Sequence, residues 1–198
     1  LGRSGETMAV AWADMSTGDF LVREIPDAGL ETLIAQVDPS ELVVPNKFST
    51  PDWLKGSSVC LSEQALAIFD STTGRKMLES FYQVRSLDGL GVFSRAMLSA
   101  AGALLGYLET TQIGNMPPLS HLQTIVDAAH MEIDPATRRS LELTRTLAGE
   151  SRGSLLHAID RTVTAAGGRL LAERLAAPLG NIESIIDRHE LVAWFLQH

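Results

Sequence analysis

The chain has 198 residues, enough for one large domain or two modest ones. With 45% hydrophobic and 20% charged residues it has the composition of a globular protein with a core, which excludes a disordered tail. Its formal net charge is -8, and no basic run interrupts that balance; affinity for nucleic acid comes mainly from basic groups that displace counterions from phosphates, so the chain is a poor candidate for gripping DNA by itself.

Residues 1–114 carry 8 basic and 14 acidic side chains (net -6), and residues 115–198 carry 8 and 10 (net -2). The arginines of the second half are spaced among acids, the pattern of a solvated helix surface. Cys60 is the single cysteine, which leaves no internal disulfide and no cysteine-based metal cluster. Leu1 is not an initiator methionine and no charged-then-apolar leader follows it, so the sequence reads as an excised piece of a longer chain.

In chain order, Met8 to Asp14 is a strand-like apolar run, Ser16-Thr17-Gly18 is a turn, and Asp19 to Ile25 alternates as a second strand, which together make an antiparallel hairpin. Leu30, Leu33, Ile34 and Val37 recur at helical spacing, and Asp38-Pro39 ends that helix because the residue before proline is pushed out of the α region. Glu41 to Pro45 and Ser58 to Leu61 are short strands. Ser71-Thr72-Thr73 offers N-caps for a helix through about Phe81, with Met77, Leu78 and Phe81 on its apolar side. Phe93 to Thr111 is a long helix whose Gly102-xxx-Gly106 pair admits a neighbouring backbone. Its apolar run from Ala96 to Leu108 is too short for a bilayer, which needs about 20 apolar residues, so no membrane partner is expected.

This order of strands and helices is an α/β layer, and the opening hairpin makes its sheet mixed. The boundary falls in Ile113-Gly114-Asn115-Met116-Pro117-Pro118, where both periods break, and protease sensitivity is expected near Asn115 to Ser120. Beyond it the chain is all-α. Met131-Glu132-Ile133 is a short extended piece, Asp134-Pro135 starts a helix, and further helices run through Leu155 to Ile159, from Thr164 to Ala176, and from an Asn181 cap to His198, where the pattern is still helical. Ile182, Ile185, Ile186, Val192 and Leu196 form the stripe of the last one.

Chemistry-bearing motifs are scarce. Gly74-Arg75-Lys76-Met77 lacks the first glycine and the hydroxyl of a P-loop, and Gly89-Leu90-Gly91 lacks the third glycine of a dinucleotide fingerprint. The five histidines show no i, i+4 metal spacing. One acid supports an alternative function. Asp14 ends the first strand of an α/β layer, where ribonuclease H-like nucleases place a ligand of two metal ions, and Glu63 and Asp70 are the carboxylates that could join it. The simpler reading is that Asp14 caps its own Ser16-Thr17-Gly18 turn.

The second half carries a specific resemblance. Met131 to Leu143 (Met-Glu-Ile-Asp-Pro-Ala-Thr-Arg-Arg-Ser-Leu-Glu-Leu) resembles the start of the MutS core domain. Gly153-Ser154-Leu155-Leu156, Asp160 to Thr164, Gly168-Arg169-Leu170-Leu171, Pro178-Leu179 and Arg188 continue it in the family's order. In the first half, Asp14 to Phe20 looks like the opening hairpin of the family's connector domain and Ala100 to Leu108 like its last helix.

The resemblance implies a ribonuclease H-like connector without nuclease activity over residues 1–114 and the beginning of a helical core, or lever, domain over residues 115–198. It implies a cytoplasmic bacterial DNA mismatch repair ATPase for the parent, a homodimer that binds ATP and magnesium. Its mismatch-reading domain would precede Leu1 and its clamp and P-loop ATPase domain would follow His198. For these residues it implies no catalytic, cofactor or metal site, no direct grip on DNA, and a role in docking a MutL-type repair protein through the connector.

Packing expectations complete the reading. Gly167-Gly168 should serve close helix packing, and Leu170, Leu171 and Leu175 should bury against other core helices. Arg138, Arg139 and Arg169 are placed for ion pairs with Glu142 or Glu173. For the docking surface, Arg75 and Lys76 are adjacent positive charges in an acidic half, left with Glu79 towards water, and Glu109 could share their surface; charges set against the prevailing field are steering elements for a partner.

Overall fold

The structure, a computed structural model, describes residues 1–113, 116, 118–125 and 130–198. The chain divides into two compact units, Leu1–Glu31 with Asp38–Ile125 and Thr32–Val37 with Val126–His198. Gly114, Asn115 and Pro117, on which much of the expected boundary falls, lie outside the described residues.

The α/β unit opens with an antiparallel meander of β1 (Gly2–Ser4), β2 (Thr7–Ala13) and β3 (Phe20–Ile25). The predicted hairpin is present, paired from Ala13 opposite Phe20 to Met8 opposite Ile25. Its turn closes through the Asp14 amide, which donates to the Asp19 carbonyl at 3.0 Å, and Gly18 takes φ 81, a conformation that glycine adopts at little steric cost. Alternation along β3 buries Phe20 and Val22 completely. Helix α1 (Leu30–Val37) buries Leu30, Leu33 and Ile34 and ends at Asp38 as expected, although Asp38 leaves the helix through left-handed φ 47 and not through an extended conformation.

Strand β4 (Glu41–Pro45) pairs in parallel with β5 (Cys60–Gln64), which begins two residues later than predicted, and the short α2 (Asp52–Lys55) lies between them. Helix α3 (Ser71–Phe81) follows the predicted span with a different cap. The Asp70 carboxylate accepts from the Thr73 amide at 2.8 Å, so the cap is the acid before the Ser-Thr-Thr run. Helix α4 (Arg95–Thr111), capped by Ser94, is buried on most of its surface from Ala96 to Leu108; a helix that is apolar nearly all round belongs in a core. Its one polar intruder, Ser99, is satisfied by donating to the Phe69 carbonyl at 2.5 Å. Where α3 crosses α4, a Cβ on Gly102 would stand 2.2 Å from the Gly74 Cα, so the helix backbones touch and only glycine fits.

A last short strand, β6 (Gln123–Thr124), runs parallel to β3 and completes a four-stranded sheet of order β1-β2-β3-β6, beside the two-stranded β4-β5 sheet. Antiparallel and parallel pairings in one sheet make the α/β layer mixed, as predicted. The core joins Phe20, Val22 and Ala9 of the hairpin to Leu78 of α3 and to Met97, Leu98, Ala101 and Leu105 of α4. Among the described residues, no helix is long and apolar enough to cross a membrane.

The second unit holds α5 (Pro135–Ser140), α6 (Leu155–Ile159), α7 (Ala165–Ala176) and α8 (Ile182–Gln197). The predicted starts are in place: Asp134 accepts from the Ala136 and Thr137 amides at 3.0 Å with Pro135 at the first helical position, and Thr164 and Asn181 cap α7 and α8. The Met131 segment forms no strand of its own but lies beside Pro178-Leu179: an isolated bridge joins His130 to Leu179, and the Met131 amide donates to the Pro178 carbonyl at 2.7 Å.

Three packing expectations fail. Leu170 is exposed, and Leu171 and Leu175 are half-buried. The principal neighbour of α7 is α6, whose five residues are too short to cover a three-turn stripe. Gly167 and Gly168 face Thr162 and Thr164 of the preceding loop and not another helix. Glu142 also misses the arginines, because α5 ends at Ser140 and Glu142 turns away at φ 47, its carboxylate accepting from the Leu147 amide at 2.6 Å. Ile182, Ile186, Val192 and Leu196 of α8 are exposed.

Candidate functional site

The metal-binding alternative was placed on Asp14, Glu63 and Asp70. Asp14 Oδ1 accepts from the Ser16 amide at 2.7 Å, the Ser16 hydroxyl at 2.6 Å and the Thr17 amide at 3.4 Å, the geometry of a residue that holds its own turn. Asp70 caps α3, and hydrogen bonds from Thr73 hold its carboxyl below the usual carboxylate range. Glu63 is exposed on β5, opposite Val44, in the other sheet. Two-metal catalysis requires converging carboxylates, and among the described residues no group of three His, Cys, Asp or Glu could hold a metal ion. The nuclease reading is withdrawn on the geometry of Asp14.

The candidate docking residues lie on α3 and α4. Lys76 is exposed. Arg75 is less free than its sequence position suggests: its Nη1 stands 3.8 Å from Glu79 Oε1 and 3.8 Å from Asp88 Oδ1, and Glu79 itself is half-buried. Pairs that long at a solvated surface contribute only a few tenths of a kcal/mol, so a partner carboxylate could displace them. Beside Arg75, a cleft of about 240 Å³ is lined by Leu87, Asp88, Gly91, Val92 and Phe93, with Val92 almost fully exposed. Glu109 is exposed in the last turn of α4. Asp88 and the cleft were not among the residues expected from the sequence, because they meet Arg75 only through the fold.

The Arg138 guanidinium is buried and donates to the Ala176 carbonyl at the end of α7 at 2.8 Å, while its Nε has no partner; burial lowers its pKa. A cleft of about 420 Å³ is lined by Ser151, Leu156, His157, Asp160, Arg161 and Thr162. Its carboxylate, Asp160, accepts from the Thr162 amide and hydroxyl at 2.8 Å, and those bonds hold its pKa below the ordinary value. For Asp160 this is the chemistry of a fixed turn.

Two family models match the chain in series: MutS domain II matches residues 1–123 and MutS domain III matches residues 136–198. The chain belongs to the MutS family of DNA mismatch repair proteins. It is 44% identical over 194 residues to the DNA mismatch repair protein MutS of Rhodopseudomonas palustris (strain BisB18), an alignment that covers 96% of this chain and 21% of that protein. The MutS proteins of Nitrobacter hamburgensis (44% over 194 residues, 96% and 21%) and Bradyrhizobium sp. (strain ORS 278) (42% over 195 residues, 97% and 21%) are similar to it to the same extent. The chain spans about a fifth of the length of these relatives.

Proposed function

We propose that these residues are a non-catalytic coupling and docking module of a mismatch repair protein. Residues 1–114 act as the connector and residues 115–198 as the beginning of the helical core. The observation that carries this reading is the pair of domain matches in one chain, II followed by III, in a segment whose candidate carboxylates are bound into their own turns and caps. In the whole protein, mismatch reading, ATP and magnesium binding and ATP hydrolysis belong to parts outside these residues, and the whole protein is a homodimer that works in the bacterial cytoplasm.

A ribonuclease H-like connector is supported by the strand pattern. The β3-β2-β1 meander is antiparallel, and β4-β5 is parallel. The meander, extended by the parallel β6 beyond β3, and the β4-β5 pair remain two sheets. The docking surface is the exposed face of α3 with Arg75 and Lys76, joined by Glu109, and its partner is a MutL-type repair protein.

The experiment is a titration of this 198-residue chain with three ligands at physiological salt: ATP with magnesium, mismatched duplex, and a MutL-type protein. Binding is expected only for the third. Micromolar affinity for ATP or duplex would overturn the assignment of those functions elsewhere, and no interaction with the MutL-type protein would overturn the docking role.

A further inference from the structure

Residues 118–125 cross the α/β unit as a seated strap. The Pro118 carbonyl lies so close to Gly18 that a Cβ there would be 2.4 Å away. The Ser120 amide donates to the Gly18 carbonyl at 2.7 Å, Leu119 packs on the core, Leu122 is buried, and Gln123 and Thr124 pair with Leu21 and Val22 of β3. The Ile125 amide closes the strap on the Val22 carbonyl at 2.9 Å. One side chain from elsewhere joins this backbone: the Tyr82 hydroxyl donates to the Ser120 carbonyl at 2.9 Å, and its ring lies 5.2 Å from that of His121. Tyr82 is also the C-cap of α3, its amide donating to the Leu78 carbonyl at 3.0 Å.

We infer that Tyr82 is a positioning latch: it ties the last turn of α3 to the backbone of the strap, so that displacement of α3 loosens the chain where it leaves the α/β unit. The hydroxyl is suited to be a permanent donor, since burial pushes its pKa up to about 12 and it stays protonated throughout the neutral range. Gly18 is the counter-hold, bonding the strap from the hairpin side without a side chain in the way. Its use in coupling rests on the docking role proposed for α3; the latch itself does not.

The test is hydrogen exchange on the 198-residue chain, comparing wild type with Tyr82→Phe and Gly18→Ala. Tyr82→Phe keeps the ring and removes the donor. It should speed exchange of the Ser120 and Ile125 amides roughly 3- to 10-fold, the loss of one net hydrogen bond, while α4 and the β2–β3 amides keep their rates. Gly18→Ala pushes on Pro118 and should raise the same two amides further. A purely structural role would instead raise exchange throughout the unit. Unchanged rates at Ser120 and Ile125 in Tyr82→Phe, a rise spread evenly over the unit, or no rise at these amides in Gly18→Ala would each overturn the latch. Adding a MutL-type protein forms a second arm: it should alter exchange at Ser120 in wild type and not in Tyr82→Phe. Absence of binding in that arm is the failure of the docking role, and binding without any response at Ser120 is the failure of the latch.

Discussion

The crossing of α3 on α4 gives a quantitative test of the packing account. Gly102→Ala would place a methyl 2.2 Å from the Gly74 Cα, and neither partner is a side chain that can swing away. An ordinary carbon contact is about 3.5–4.0 Å, so the helices must part by more than roughly 1 Å. A gap of 0.5–1 Å already forfeits about a quarter to a half of each contact's attraction, here among Leu78, Leu98, Ala101 and Leu105. Overpacking of this kind costs about 1–3 kcal/mol, and a contact of backbone on backbone belongs at the top of that range. Alanine returns about 1 kcal/mol of helix propensity, which leaves a net loss of about 2 kcal/mol. Gly106→Ala is the internal control. Its methyl meets only the end of the Met77 side chain, the methyl at 3.0 Å and the sulfur at 3.6 Å, and a thioether can move, so the propensity gain should leave that variant neutral or up to about 1 kcal/mol more stable. Urea unfolding in a Trp194→Phe background, followed by Trp12 and Trp53 fluorescence, reads the α/β unit alone, because Trp194 sits on α8. A Gly102→Ala variant as stable as Gly106→Ala would refute the backbone-contact reasoning.

Arg138→Ala should fray the end of α7, with faster exchange of the Ala177 amide, which donates to the Glu173 carbonyl. Arg138→Met, which fills the site but likewise removes the donor to the Ala176 carbonyl, should fray the same end of α7; wild-type exchange of the Ala177 amide in Arg138→Met would deny the guanidinium its role as a cap on the Ala176 carbonyl. Acid sensitivity follows from Asp70, Asp134 and Asp160, whose carboxyls are all held below the ordinary value chiefly by hydrogen bonds from Thr73, Thr137 and Thr162. A depressed folded pKa means the contribution is complete above the unfolded value of about 3.9 and is lost as pH falls through the lower folded values. Urea midpoints should therefore drop below about pH 4, and Asn at all three positions should flatten that drop; an unchanged pH profile would count against the three caps as its source.

The parts of this fold that were legible in the sequence are those written in local chemistry. The β2–β3 hairpin follows from alternation around Gly18, α5 from Asp134-Pro135, and the buried α4 from its apolar run. Local rules also misled. Ser71-Thr72-Thr73 looked like the cap of α3 because hydroxyls commonly serve there, and the acid one residue earlier outcompeted them. Arg138 and Glu142 have i, i+4 spacing, which creates neighbours only while the helix lasts, and α5 ends between them. β1 is three residues long and has too little alternation to register as a strand. The candidate docking residues were found from charge alone; Asp88 and the cleft beside Arg75 required the fold, because they lie across a loop. The Tyr82–Ser120 bond joins positions 38 residues apart and no periodicity marks it. The family was legible because the ordered run from Met131 to Arg188 is specific in a way that single motifs in this chain are not.

The central claim, that the α3 face docks a MutL-type protein in a module without catalysis, is tested most directly by charge reversal at Arg75 and Lys76 in the full-length protein. Association with the MutL-type protein is measured across a salt series alongside mismatch affinity and ATP hydrolysis. The account predicts a slower, salt-sensitive on-rate, with the other two activities unchanged. Recruitment at the wild-type rate at every salt concentration would contradict it and remove α3 from the interface.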